Sequence, residues 1–406
     1  MRILLVVAYF VPEIGSAAHV YFDLARAFVA QGHHVDVITS CPRKFNLDVH
    51  DVGGRFPLEE TVDGIHIHRC KHTTLRDSKV LRGFEHFQLA RYYFKTYKIL
   101  GKKFDVCLMY VPPLPLYYLA RKIKLYDGTP SVLNFQDFHP QELTDVGFLK
   151  NPLMIRLLKH IEREAYKNAD YITVLSEQGV DYIIERGGDR NKIAHIYNGV
   201  DLQTTTEFSV KPCFKTREGI EDKSLISYAG ILSPFQGVDA ILDAAETLKD
   251  QRDFAFYIIG DGMAREHLIR QIQTKRIPNV KILPLQPRGE YLNIVSSSDI
   301  SIVSLDKRMM APCLPGKLLN LLCLKQPVLG VVPLESQTAS FIKQVNCGVI
   351  VDPEDFQDLA AAILDLKSDP KLMKELGENG RRFIEKEMNV RNSVLKYERI
   401  FSNLCH

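Results

Sequence analysis

Asp137 and His139, two residues apart, follow the short apolar run 131–135, and Lys317 follows the pair Pro315-Gly316. A carboxylate beside an imidazole can hold and pass protons, whereas a lysine at a glycine turn is a compact positive charge suited to a phosphate. Glycine turns after apolar runs recur along the chain: Gly15-Ser16; Gly230 to Gly237, which includes Ser233 and Gln236; Gly260-Asp261-Gly262; and Cys313 to Lys317. Lacking a side chain, glycine lets backbone N–H groups approach a phosphate, and the N-terminus of a following helix adds partial positive charge. None of these turns is GxGxxG or contains GK[ST], and a tight turn without a ligand explains any one of them. Their recurrence in both halves points to a ligand held between two domains.

Those turns need elements to hold them. Apolar runs rich in Val and Ile fall at 3–7, 35–39, 106–110, 131–135, 171–175 and 193–196, then at 225–229, 254–259, 280–283, 300–303, 327–331 and 349–351. They alternate with stretches of helical length, which predicts parallel strands covered by helices on both faces. Each half therefore reads as a Rossmann-type α/β unit. A helix over 18–30 closes at Gly32, Asp369-Pro370 predicts the start of another, and a last helix runs over 390–404. Residues 204–223 are polar, with Pro212, Gly219 and no clear period. They read as a linker between an N-terminal domain, 1–203, and a C-terminal domain, 224–385, with 386–406 expected to cross back onto the first.

A chain of 406 residues is long enough for two domains. With Lys+Arg 52 against Asp+Glu 49, the charge balance does not call for nucleic acid. The eight cysteines are scattered without a CxxC pair, which suits reduced thiols in the cytosol rather than a disulfide framework or a zinc site. The opening MRILLVVAYFVPE reads as a buried first strand rather than a secretory leader, because its apolar run meets Pro12-Glu13 with no small-residue cleavage site. No segment reaches the roughly 18 apolar residues of a spanning helix. Along 79–104, Arg91, Lys95, Lys98 and Lys102 form one basic stripe, and Ala90, Tyr93, Phe94, Tyr97 and Leu100 an apolar one. Such a helix either lies on an anionic bilayer or packs its aromatics on the sheet with a solvated basic face. There is no DxD triplet, and the histidines lack metal-ligand spacing, so neither a metal nor a cofactor is expected.

Several segments carry a resemblance: Leu24-Ala25-Arg26-Ala27-Phe28 through Gly32-His33-His34-Val35-Asp36-Val37-Ile38-Thr39, Ala169-Asp170-Tyr171-Ile172-Thr173-Val174-Leu175-Ser176, Asn198-Gly199-Val200-Asp201, Ile258-Ile259-Gly260-Asp261-Gly262 and Gly377-Glu378-Asn379-Gly380-Arg381. In this order and spacing the chain resembles family 4 of the retaining glycosyltransferases over essentially its whole length. Gln236-Gly237 and Lys317 look closest to the bacterial branch of O-antigen fucosamine transferases. The resemblance implies the GT-B fold, two Rossmann-like domains facing each other across a deep cleft, with the acceptor in the first and a nucleotide sugar in the second. It also brings departures. Where the family places Arg and Lys to grip the diphosphate, Ile231 and Gln236 stand, and the paired glutamates spaced E-x7-E fall near Pro312 and Asn320. Lys317 is then the candidate for the diphosphate charge, Arg288 for the base or a phosphate, and Asn320 for sugar hydroxyls; each is otherwise an ordinary surface or helix residue. Asp137 and His139 lie where the family has an Asp or His near the acceptor, though the branch often has Trp at the position of His139; a helix cap and a packing role are the alternatives.

The expected activity is retaining transfer from a nucleotide diphosphate sugar, UDP-linked, to a saccharide or polyprenyl-linked acceptor, at the inner face of a membrane. With no carboxylate pair suited to double displacement, front-face attack is the expected route. A nucleotide-sugar 2-epimerase and a non-catalytic GT-B partner subunit are the rivals, and a dehydrogenase is disfavoured by the missing dinucleotide fingerprint.

Overall fold

The computed structural model describes residues 1–13, 15–42, 56–71, 79–203 and 214–405, without the side chains of Ser16 and of residues 79–84. The chain forms two compact units, Met1–Gly199 with Val390–His406, and Val200–Asn389.

The first unit holds an eight-stranded sheet of β1 (Arg2–Val6), β2 (His34–Ser40), β3 (Glu59–Val62), β4 (Ile65–Cys70), β5 (Val106–Val111), β6 (Ser131–Phe135), β7 (Tyr171–Val174) and β8 (Ile193–His195), in the order β3-β4-β2-β1-β5-β6-β7-β8. Every pairing is parallel except β3 with β4. The inner strands are apolar throughout because helices cover both faces; β1 from Ile3 to Val6 is wholly buried. The β3–β4 hairpin is absent from the sequence expectation, since Glu59 to Val62 is not an apolar run. The missed signal is Asp63-Gly64, whose positive φ values of 51° and 79° match the Asp-Gly turns that close hairpins.

The second unit holds β9 (Ser224–Ala229), β10 (Phe254–Ile259), β11 (Val280–Leu283), β12 (Ile300–Ser304), β13 (Val328–Val331) and β14 (Gly348–Val351), all parallel, in the order β11-β10-β9-β12-β13-β14. Counted within the unit this is the Rossmann order 3-2-1-4-5-6, and the first sheet repeats it with the hairpin at one edge and β8 at the other. Strand order reverses between β1 and β5 and between β9 and β12. Ligands of open α/β sheets bind outside the carboxyl ends of strands at such reversals. Residues 204–213 of the expected linker lie outside the described residues. The rest includes a short helix, Phe214–Glu218, with Phe214 buried edge-on against Tyr257 at 5.0 Å, so this polar stretch packs as part of the second unit.

The helix Pro370–Glu387 starts as Asp369-Pro370 predicts, with the Asp369 carboxylate accepting from Leu372 N. After it the chain returns to the first unit. Gly199 touches the return: an ideal Cβ there would stand 2.3 Å from Val390 Cα. The last helix, Val390–Cys405, packs on the helix Ser16–Ala30, with Phe401 and Tyr397 5.7 and 6.2 Å from the Phe28 ring. Phe401 is fully buried. Phe401→Ala should therefore destabilise the first unit by about 3–5 kcal/mol in urea unfolding; a loss under about 1 kcal/mol would show that this helix is not part of the core.

Candidate functional site

In the second unit, the turn after β9 and the helix Lys317–Cys323 meet at the reversal of strand order. Lys317 Nζ donates to Gln236 Oε1 at 2.9 Å and stands 4.0 Å from the centre of the Tyr228 ring. The Tyr228 hydroxyl lies 3.1 Å from Gln236 Oε1 and 3.2 Å from Ile231 O. An ideal Cβ on Gly230 would stand 2.9 Å from Lys317 Nζ, so only glycine leaves the ammonium this place over the turn. Among the described residues no carboxylate pairs with it. Burial, opposed only by Cys313, depresses Lys317 to about 7. This is a cation over a glycine turn without a counterion, an arrangement that a bound anion would complete.

Gly260 and Gly262 serve a different need. Gly230 N donates to Ile259 O and Leu232 N to Asp261 O, each at 2.9 Å. Ideal Cβ atoms would fall 1.9 Å from Gly230 O at position 260 and 2.3 Å from Leu232 O at 262. These glycines let the two turns pack backbone against backbone, so they support the Gly230 turn from behind. Ser233 precedes the single turn Pro234–Gln236 and makes no capping bond. Asn320 lies one helical turn beyond Lys317 and hydrogen-bonds Tyr291, which also feels the charge of Arg288; burial outweighs both and raises Tyr291 to about 12. Lys317, Gln236 and Gly230 thus form one group, and Arg288, Tyr291 and Asn320 a second joined to it through the helix. Sequence reasoning missed Tyr228 and Tyr291. The only hint was a tyrosine two residues before a strand-end glycine.

In the first unit, Asp137 and His139 follow β6. Asp137 does not cap the helix Gln141–Asp145, whose cap position is Pro140 with no side-chain bond. Its neighbour is Glu142, which is buried and accepts from Phe138 N at 2.9 Å. Burial raises Asp137 to about 6, and burial with the Asp137 charge raises Glu142 well above the ordinary carboxylate range. The Tyr110 hydroxyl on β5 is raised by burial and by both carboxyls. Burial, aided by His86, depresses His139 to about 4. Burial thus favours the neutral form of all three groups, and Asp137, at about 6, is the one that titrates just below neutrality. Glu142 and Tyr110 were missed because nothing in the sequence marks them as neighbours of Asp137. Gly15 precedes the helix Ser16–Ala30, whose first turn has no acidic residue and no side-chain cap, and nothing lies within 4 Å of an added Cβ at Gly15.

The basic helix Lys79–Leu100 packs its aromatic face inward, one of the two arrangements its pattern allows. Tyr93, Tyr97 and Ala90 are core residues, with the Tyr93 hydroxyl 2.7 Å from Ser40 Oγ and that of Tyr97 2.6 Å from Asp127 Oδ2, so the aromatic face is spent on the fold. Lys102 lies past the helix end and pairs with Asp36 at 3.3 Å, because the chain turns at Gly101 toward β5. Arg91, Lys95 and Lys98 remain exposed. Among the described residues, no helix is long and apolar enough to cross a membrane, and no group of three His, Cys, Asp or Glu could hold a metal ion.

Because Lys317 is protonated below about 7 in the fold and to about 10.4 when unfolded, the unfolded state binds the extra proton between those values. Stability should rise with pH across that window. Urea unfolding of the protein and of Lys317→Met from pH 6.5 to 9 should show a slope in the first that is absent from the second; parallel curves would mean the ammonium is solvated.

The chain matches known families along both units: "Glycosyl transferase 4-like domain" over residues 15–199 and "Glycosyl transferases group 1" over 211–383. It is 22% identical over 97% of its length, and 99% of the relative's, to WcaI of Escherichia coli K12, which is named for glycosyl transfer in colanic acid biosynthesis. An alpha-D-kanosaminyltransferase of Streptomyces kanamyceticus is 24% identical over 55% of this chain and 58% of its own. Among solved structures, sucrose-phosphate synthase of Thermosynechococcus elongatus superposes with a TM-score of 0.78 at 16% identity, covering 100% of this chain and 99% of its own. The Anabaena protein HepE in complex with UDP-glucose gives 0.73 at 15%, covering 99% and 100%. With its two units matched in order by two glycosyltransferase descriptions and its fold shared with these solved structures, the chain is a glycosyltransferase of the GT-B fold.

Proposed function

We propose that this protein transfers a sugar, with retention of configuration, from a UDP-linked donor to a hydroxyl of a saccharide or lipid-linked acceptor in cell-surface polysaccharide or glycolipid synthesis. The observation that carries this reading is Lys317, a half-buried amine with no carboxylate partner among the described residues, 2.9 Å from the Cβ that Gly230 lacks. A diphosphate supplies the missing charge beside the Gly230 turn, and Arg288 and Asn320 take the nucleoside and sugar hydroxyls. The family resemblance, the naming of WcaI for colanic acid biosynthesis and the HepE complex with UDP-glucose support this reading. The departing diphosphate takes the acceptor proton in a front-face route, with Lys317 stabilising its charge. Asp137 and His139 serve the acceptor side, and Gly15 and Ser16 offer a helix N-terminus to the donor phosphates. No DxD motif is present, so the reaction runs without a metal and turnover persists in excess EDTA.

A panel of nucleotide sugars should reveal the donor as thermal stabilisation, since a ligand at 100 times its Kd adds about 2.7 kcal/mol. Lys317→Ala should weaken UDP about 10- to 150-fold, the loss of a charged hydrogen bond of about 1.5–3 kcal/mol, and leave uridine unchanged. Equal UDP affinity in the two proteins would remove Lys317 from the donor site. Donor binding without turnover in the presence of membrane lipid extract would favour a binding subunit, a reading that Pro312 and Asn320 in the acidic positions support.

Asp137→Asn should lower kcat by about 10²- to 10⁴-fold at constant UDP affinity. In the parent, kcat should fall as pH drops through about 6, where Asp137 takes up its proton. UDP binding that collapses with kcat would make Asp137 part of the fold or donor site instead.

The surface around Arg91, Lys95 and Lys98 is proposed as the contact with an anionic membrane. Ile99 is 70% exposed beside them, and Tyr126, 58% exposed, packs edge-on to Phe94. Reversing the three charges should reduce binding to phosphatidylglycerol-rich vesicles by about 1 kcal/mol per residue, and unchanged co-sedimentation would return the face to ordinary solvation.

A further inference from the structure

A chain of uncharged polar side chains, buried except for the partly buried Asn198, starts at the residue before Asp137. Gln136, the residue before it, exchanges two hydrogen bonds with Asn198: Gln136 Nε2 donates to Asn198 Oδ1 at 2.9 Å, and Asn198 Nδ2 donates to Gln136 Oε1 at 2.7 Å. Gln136 Nε2 also donates to Asn134 Oδ1, which receives the Tyr21 hydroxyl at 2.7 Å. Asn134 Nδ2 donates to Thr173 Oγ1 at 2.9 Å, and that hydroxyl lies 3.4 Å from the Tyr397 hydroxyl. Asn134, Thr173, Tyr21 and Tyr397 are at most 4% exposed, and Gln136 is 9% exposed. The network joins β6 and β7 to the helices Ser16–Ala30 and Val390–Cys405 and to the segment where the first unit ends at Gly199.

Apolar side chains would fill this space without the cost of desolvating amides, and a half-made polar network is worse than none. What the amides add is direction. Two antiparallel bonds between Gln136 and Asn198 fix both side chains in rotation, and Gln136 N is held in turn by Val111 O at 2.8 Å. The turn that presents Asp137 is therefore bound on its main chain and on its preceding side chain.

We infer that the Gln136–Asn198 pair is a positioning clamp for glycosyl transfer: it ties the Asp137 turn to the exit segment of the first unit and holds the carboxylate in one orientation. The inference rests on the reading of Asp137 as an acceptor-side group. Neither clamp residue touches substrate; both act through Asp137, and a displacement of about 1 Å at a reacting group can lower the rate by about a hundredfold.

The test uses the full chain with three changes: Asn198→Ala, Gln136→Ala, and the exchange Gln136→Asn with Asn198→Gln, which keeps two amides of the same combined length. Turnover is read as UDP released from a mixture of UDP-glucose, UDP-galactose and UDP-N-acetylglucosamine with membrane lipid extract. UDP affinity is read by calorimetry, and the Asp137 titration by carboxyl NMR of Asp-labelled protein, with Asp137→Asn marking the resonance. Each alanine change should lower kcat at least tenfold with UDP affinity unchanged, and should move the Asp137 midpoint down from about 6 as water reaches the loosened turn. The exchange should restore both within about threefold and a few tenths of a pH unit. Alanine variants that keep kcat and the midpoint, or that lose UDP binding in step with kcat, would overturn the clamp. If the parent itself releases no UDP, the transferase reading fails, and the titration alone still decides whether the pair sets the environment of Asp137.

Discussion

A parallel strand covered by helices on both faces can offer chemistry only where it ends. Along β1, β6, β10 and β12 the side chains are buried to the last residue, so polar groups collect in the turns beyond the carboxyl ends. The order β11-β10-β9-β12-β13-β14 then selects among those ends. Where neighbouring strands send their connections to opposite sides, a crevice opens, and the Gly230 turn and the Lys317 helix border it. The backbone packing of Gly260 and Gly262 against Gly230 and Leu232 follows from the same geometry, because adjacent strand-end turns must pass each other at contact distance.

Burial at these ends has one physical consequence with opposite signs. The charged form is disfavoured wherever water is removed, so Lys317 and His139 fall while Asp137 and Glu142 rise. Lys317 and Asp137 both arrive near neutrality, at about 7 and about 6. Among the described residues neither pairs with an opposite charge, as Lys215 does with Asp299, 2.6 Å apart. The contrast is between groups without an ion partner and groups paired within the fold. Lys102 illustrates the second kind: its pairing with buried Asp36, itself bonded to His68, helps to hold that carboxyl below its usual range.

The helix Lys79–Leu100 shows why an amphipathic pattern is ambiguous. Aromatic residues at helical spacing satisfy a bilayer and a sheet equally well in one dimension. In three, Tyr93 and Tyr97 find Ser40 and Asp127 as hydroxyl partners, and a tyrosine whose hydroxyl is bonded inside the protein is not offered to lipid. What stays outside is a basic row with Ile99 and Tyr126 at its end.

Much of the architecture was legible in the amino-acid order, because burial on both faces writes itself as uninterrupted Val and Ile. The strands at 131–135, 254–259 and 280–283 coincide with their apolar runs, and Asp369-Pro370 marks a helix start through a bond made three residues away. Local chemistry of this kind needs only neighbours in sequence. The β3–β4 hairpin escaped because its strands are short and polar at a sheet edge, where no apolar run is required. The candidate site was legible in its glycines, its lysine and its aspartate, yet its meaning was decided only by folding. Lys317 meets Gln236 across 81 positions and Gln136 meets Asn198 across 62. Whether a lysine meets a carboxylate or a glycine turn, whether a glycine packs against another backbone, and which amide pairs with which are relations between residues distant in sequence. No spacing rule carries them, because they exist only once the sheets have set the strand ends side by side.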